Sequence, residues 1–179
     1  LSVKPISPRV RAKAKKIQLL LLDVDGVLTD GRIIIDDRGV ETKQFHVRDG
    51  QGIALLLRAG IDVGFITARS SRSVRRRAQE LGVRLVRQAV KNKLQTYNEI
   101  KRACRFEDAQ IAYMGDDLVD LPVLRQAGLS ICVADSWPEL ISRTDMVTAA
   151  LGGRGAVREV ADFLLKAQDK WSSLTKLFT

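Results

Sequence analysis

The stretch Ile17–Asp30, I-Q-L-L-L-L-D-V-D-G-V-L-T-D, constrains this chain more than any other. An unbroken aliphatic run, Leu19–Leu22, ends abruptly in Asp23, Asp25 and Gly26. A run without polar alternation reads as a strand buried on both faces, the habit of a central parallel strand. Ligands of open α/β sheets bind beyond the carboxyl ends of such strands. Two carboxylates therefore stand where chemistry is expected. Alone, the same residues are as readily a strand followed by an Asp-Gly turn, so the remaining chain decides.

Downstream, aliphatic runs alternate with amphipathic stretches. Strands are expected at Ile61–Ile66, Val83–Val86, Ile111–Met114 and Ser130–Val133, with a short edge strand at Met146–Val147. Helices are expected at Ile53–Arg58, capped by Asp49, and at Ser71–Leu81, Lys91–Arg102, Leu118–Gln126, Pro138–Ser142 and Ala156–Ala167. Short connections between such elements give an open parallel sheet with helices on both faces, an α/β fold. Arg32–Asp36 and Val40–Phe45 flank turn residues and read as a β-hairpin inserted after the first strand. A two-stranded hairpin is marginal alone, so it should pack on something, such as a second subunit. Residues 1–16 hold two prolines, several cations and no acid. They read as a mobile basic arm with one helical turn near its end. Residues 17–179 then form one domain, with the hairpin at 31–45.

Composition excludes little but ranks the rest. No apolar run is long enough to cross a bilayer, and no secretory leader is visible. Cys104 and Cys132 lack metal or redox spacing and read as reduced thiols of a cytoplasmic protein. The net charge of +9 invites a nucleic-acid reading, but only 5% of residues are aromatic, so stacking platforms are scarce. Much of the excess lies in the arm and in Arg72, Arg75, Arg76 and Arg77; of Arg72, Arg75 and Arg76, most read as a solvated helix face. A small anionic substrate is an equally physical partner.

Parallel strands place Asp23, Asp25, Thr67, Asp116 and Asp117 on one rim, with Lys93 in the first turn of a helix. Carboxylates gathered at one point repel unless a cation sits among them. Oxygen donors without cysteine or histidine point to a hard ion, and Mg²⁺ is the natural choice. A helix N-terminus prefers anions, which makes Lys93 unusual there. The Thr67 hydroxyl and Lys93 ammonium suit a phosphoryl group. An aspartate can be the nucleophile, forming an aspartyl-phosphate, and a carboxylate two residues on can shuttle protons. Arg48, beside F-H-V-R-D-G, is a candidate anion contact, whereas His46 reads as a packing residue.

D-V-D-G-V-L-T-D, F-I-T-A-R, Lys93 and G-D-D-L-V-D together resemble the four motifs of the haloacid dehalogenase-like phosphatases, over nearly the whole chain from Ile17. The resemblance implies Asp23 as nucleophile and Asp25 as general acid/base. It implies Mg²⁺ held by the Asp23 carboxylate, the Asp25 carbonyl and Asp116, with Asp117 and Asp120 in support. The gaps between motifs leave no room for a folded cap. Further stretches, among them F-x-V-R-D-G-x-G-I, N-K-L and G-G-R-G-A-V-R-E-V, look like the members that hydrolyse 3-deoxy-D-manno-octulosonate 8-phosphate for lipopolysaccharide sugar synthesis. Those are homotetramers assembled through their hairpins. That likeness makes Gly26, Arg48, Arg69, Lys93 and Arg154 substrate-side candidates, Arg154 within the flexible glycine-rich turn Gly152–Gly155. Ala68 and Ala89 stand where the family often has Gly, and alanine resists positive φ. Two alternatives remain open from sequence: a phosphatase for a nine-carbon sugar-acid 9-phosphate, and a receiver-like signalling domain that holds its phosphoaspartate.

Overall fold

The computed structural model describes residues 6–176. Its centre is β1 (Leu19–Leu22), every residue of which is buried. Joined to it are β4 (Asp62–Ile66), β5 (Leu85–Arg87), β6 (Ile111–Gly115), β7 (Leu129–Cys132) and β8 (Met146–Val147). The sheet order is β5-β4-β1-β6-β7-β8, and every neighbouring pair is parallel. The hairpin is β2 (Ile34–Ile35) paired antiparallel with β3 (Glu41–Thr42), shorter than the sequence suggested.

The period-2 pleat of β1 sorts its leucines between two cores. Leu20 and Leu22 face one with Val63, Phe65, Ala112 and Met114. That side is covered by α1 (Pro8–Ala14), α2 (Val47–Arg58), α3 (Arg72–Leu81), α7 (Ala156–Ala167) and α8 (Trp171–Thr175). Leu19 and Leu21 face the other with Ile66, Ile111 and Tyr113, under α4 (Lys93–Cys104), α5 (Leu121–Gln126) and α6 (Pro138–Ile141). Each fully buried leucine contributes about 1.5–3 kcal/mol, so this double-sided strand anchors the fold. Gly64 on β4 is required for packing: a Cβ there would come within 2.4 Å of Leu85 and 2.8 Å of Leu21.

Three expectations change. The arm is only partly an arm. Its first five residues lie outside the described residues, but Ser7 caps α1, and Val10 and Ala14 are buried against the sheet helices. The signal was masked because cations surround those two small apolar positions. Asp49 does not cap its own helix; it sits inside α2 and accepts from Gly155 N–H at 3.1 Å and Arg158 N–H at 2.8 Å, capping α7 instead. The glycine turn is held tightly: Gly153 N–H donates to Val27 O at 2.9 Å, and a Cβ on Gly152 would meet Gly26 O at 1.8 Å. Of the two alanines at expected glycine positions, Ala89 has φ +55°, the left-handed region that glycine favours, and Ala68 does not.

The docking of α1 carries a pH signature. Lys13 Nζ lies 2.6 Å from Asp145, which also accepts from the Ser130 N–H and hydroxyl at 3.0 Å each. Burial works to raise the Asp145 carboxyl, but Lys13 and Ser130 outweigh it and hold it below its ordinary value of 3.8. A depressed carboxylate stabilises the fold above its unfolded pKa, and that stability is lost as pH falls through the folded one. The difference in unfolding free energy between wild type and Asp145→Ala should therefore be about 1–3 kcal/mol near neutrality. In urea titrations it should close as the pH drops below about 4. A pH-independent gap would refute the ion pair as its source.

Candidate active site

Four rim segments converge. β1 delivers Asp23 at its carboxyl end, β4 delivers Thr67, α4 opens with Lys93, and β6 leads into Asp116 and Asp117. Carboxylate oxygens of Asp23, Asp116 and Asp120 all lie within 4.8 Å of one another. Lys93, its side chain 6% exposed, sits 2.8 Å from Asp23 and 2.6 Å from Asp120. Asn92 caps α4 by accepting from Gln95 N–H at 3.0 Å, which fixes where Lys93 emerges.

Gly26 permits this closeness. Its φ is +90°, and a Cβ there would lie 2.0 Å from Asp116 Oδ2. Any side chain at position 26 would push the Asp116 carboxylate away. In the structure Gly26 is thus the floor beneath Asp116 and the stop against which Gly152 rests.

Asp120 is the interior keystone. Fully buried, its Oδ1 accepts from Lys93 and from the Tyr113 hydroxyl at 2.5 Å. Its Oδ2 accepts from the N–H groups of Asp116 at 3.1 Å and Asp117 at 3.3 Å. Four donors occupy it, so it orients its neighbours. Asp117 is exposed and caps the turn Leu118–Asp120, its Oδ1 accepting from Leu118 N–H at 2.7 Å. The Asp116 carboxylate carries no protein hydrogen bond among the described residues.

The electrostatics are those of crowded anions. Burial, then the charge of Asp120, pushes Asp23 up to about 6 although Lys93 pulls it back. Burial, then Asp23 and Asp120, pushes Asp116 up to about 8. Burial works against the Lys93 ammonium, but Asp23 and Asp120 outweigh it and hold it above its usual value. A divalent cation relieves such crowding. An all-oxygen donor set with an uncommitted Asp116 fits a hard ion such as Mg²⁺.

The candidate substrate residues are more scattered. Thr67 is buried, and its hydroxyl accepts from Arg69 N–H at 3.2 Å. Arg69 pairs through its guanidinium with Glu41 of the hairpin. Arg48 and Arg154 are exposed, and neither makes a side-chain bond among the described residues. Arg154 lines a cleft of about 300 Å³ with Asp30, Gln44, Phe45, His46 and Gly153. His46 is the residue before α2, with Nδ1 buried and unpartnered. Three contributors escaped the sequence reading. Tyr113 looked like one more apolar strand residue. Glu41 and Lys43 were not singled out within the hairpin strand Val40–Phe45, although their two-residue spacing puts them on one side of the ribbon; Lys43 reaches the Asp25 carboxylate.

Residues 86–157, the part holding Lys93 and the Asp116–Asp120 loop, match the family model of haloacid dehalogenase-like hydrolases. Fold and site together thus define a haloacid dehalogenase-like hydrolase of phosphoric monoesters. The 3-deoxy-D-manno-octulosonate 8-phosphate phosphatase KdsC of Salmonella typhimurium is 48% identical over 166 residues, covering 93% of this chain and 88% of that protein. The crystal structure of the Yersinia pestis 3-deoxy-D-manno-octulosonate 8-phosphate phosphatase superposes with a TM-score of 0.92 at 45% identity, covering 94% of this chain and 91% of the other. The Moraxella catarrhalis enzyme, solved with magnesium, phosphate and KDO, gives 0.93 at 41% identity, covering 95% and 98%. This chain belongs to the 3-deoxy-D-manno-octulosonate 8-phosphate phosphatase family.

Proposed function

We propose that this chain hydrolyses 3-deoxy-D-manno-octulosonate 8-phosphate to the free sugar acid and phosphate, with Mg²⁺, through an aspartyl-phosphate on Asp23. The observation that carries it is the packing of Asp23, Lys93 and Asp116 around one point at the carboxyl edge of the sheet. The Asp23 and Asp116 carboxylates and the Asp25 carbonyl are the groups that would hold Mg²⁺. When bound, the ion neutralises phosphoryl charge and the mutual repulsion of the acids.

The chain's own residues do the rest. Asp23 attacks phosphorus and the ester P–O bond breaks, while Asp25 gives its proton to the departing sugar oxygen. Asp25 then takes a proton from water, whose oxygen attacks the aspartyl-phosphate and frees Asp23. Lys93, held by Asp120, keeps a positive charge beside Asp23, and Thr67 offers its hydroxyl to a phosphoryl oxygen. Asp117 shapes the Asp116 loop. Gly26, Arg48, Arg69 and Arg154 face the sugar acid, where arginines suit a carboxylate. The reaction serves lipopolysaccharide sugar synthesis in the cytoplasm, where Cys104 and Cys132 stay reduced, outside any disulfide. Among the described residues no helix is long and apolar enough to cross a membrane.

The test is phosphate release from a panel of sugar phosphates. The eight-carbon ester should show the highest kcat/KM, with multiple turnovers. Chelation should lower the rate by at least roughly two orders of magnitude, and added Mg²⁺ should restore it. A higher kcat/KM on a nine-carbon 9-phosphate, or a single stable phosphorylation per chain, would overturn the assignment.

The same reading includes a homotetramer. Ile33, Ile35 and Val40 are each more than half exposed on the hairpin, an unusual investment of aliphatic surface. Sedimentation should give about four times the protomer mass of 19.9 kDa. Ile33→Ser with Ile35→Ser should shift it to smaller species, and a monomeric wild type would exclude the assembly.

A further inference from the structure

The hairpin carries a charge pair that the reaction above leaves unused. The Lys43 side chain is 2% exposed; its ammonium bonds the Asp25 carboxylate and lies 3.3 Å from Glu41. Glu41 is gripped in turn by Arg69, two residues beyond Thr67. A buried ammonium is costly unless anions surround it, and here it has one on each side. No other side chain bonds the Asp25 carboxylate among the described residues.

We propose that Lys43 is a positioning residue for Asp25, holding its carboxylate at the oxygen of the departing sugar. Proton transfer needs a carboxyl oxygen within hydrogen-bond reach of that oxygen; the turn closed by Leu28 N–H on Val24 O at 2.9 Å fixes the Asp25 backbone, and Lys43 is the side chain that fixes its carboxylate. Glu41, itself paired with Arg69, fixes the ammonium from behind, so the inserted hairpin is part of the acid/base apparatus. The proton travels from Asp25 to the ester oxygen as the P–O bond breaks, and later from water to Asp25. Lys43 neither gains nor loses one. When Asp25 is protonated, the ammonium keeps Glu41 as its counter-ion.

The inference rests on the acid/base reading of Asp25, and leaving-group dependence separates the two. A sugar phosphate expels a basic alkoxide that needs a proton, whereas p-nitrophenyl phosphate expels a stable phenolate. The constant kcat/KM reports phosphoryl transfer to Asp23 for both. Lys43→Met should lower it roughly 10²-fold on the sugar phosphate, within the range of acid/base contributions, and change it by less than about 3-fold on the aryl ester, with the sugar-phosphate KM nearly unchanged. Lys43→Arg should recover most of the loss. Glu41→Gln should give a smaller loss with the same selectivity, which keeps the test usable if Lys43→Met misfolds. Equal losses on both esters, or a rise in KM alone, would overturn the role of Lys43. Asp25→Ala run in parallel should show the same selectivity more strongly; if it shows none, the acid/base reading fails instead.

Discussion

Asp23→Asn should yield a folded protein that releases phosphate roughly four to six orders of magnitude more slowly, the scale seen when a nucleophile is removed. Asparagine preserves the shape and one acceptor oxygen but cannot attack phosphorus. The fold should survive because ionised Asp23 is not what holds it together. Burial and Asp120 push its pKa upward more strongly than Lys93 pulls it down, so the charge is carried at a cost. Lys93 meanwhile keeps Asp120 at 2.6 Å. Thermal unfolding should show an unchanged or raised Tm, and single-turnover assays should show no phosphoenzyme. Turnover near the wild-type rate would eliminate Asp23 as the nucleophile.

Asp120→Ala should do the opposite, harming stability and activity together. It removes the acceptor of four donors at once: Lys93, Tyr113 and the Asp116 and Asp117 amides. Breaking a buried ion pair from one side costs about 3–5 kcal/mol, which lowers Tm by on the order of 10 °C in a chain of this size. The Asp116 loop loses its tether, and a shift of about 1 Å at the site can cost roughly 10²-fold in rate. A Tm within about 2 °C of wild type would mean that the Asp120 network contributes little. The contrast with Asp23→Asn is informative, since both residues touch Lys93 but only one is proposed to meet the phosphate.

Much of the fold was legible because its signals are local. Leu19–Leu22 has no polar residue and reads as a central strand without further context. Met146–Val147 and Ala156–Ala167 occupy the expected residues, the latter because Gly155 and the apolar spacing mark its start. What escaped depends on partners far along the chain. Asp49 looks like a cap for the helix it belongs to, and nothing nearby announces Gly155 and Arg158. Val10 and Ala14 are too few and too small to stand out among cations. At the site, the D-x-D spacing and the late acid pair were visible, as was the odd placement of Lys93. Lys43 was not, because a lysine in a hairpin is ordinarily a solubilising charge and only the fold of the ribbon turns it inward.

The capping of α7 by Asp49 has a consequence for how the protein comes into being. The two groups that meet are 106 positions apart in the chain. The seam between α2 and α7 can therefore close only after synthesis has passed the sheet's last strand. The glycine turn that follows that strand leans on Gly26, so the mouth of the site cannot take its shape until those residues have been made. An incomplete chain would own every acid of the cluster and still lack the wall they work against.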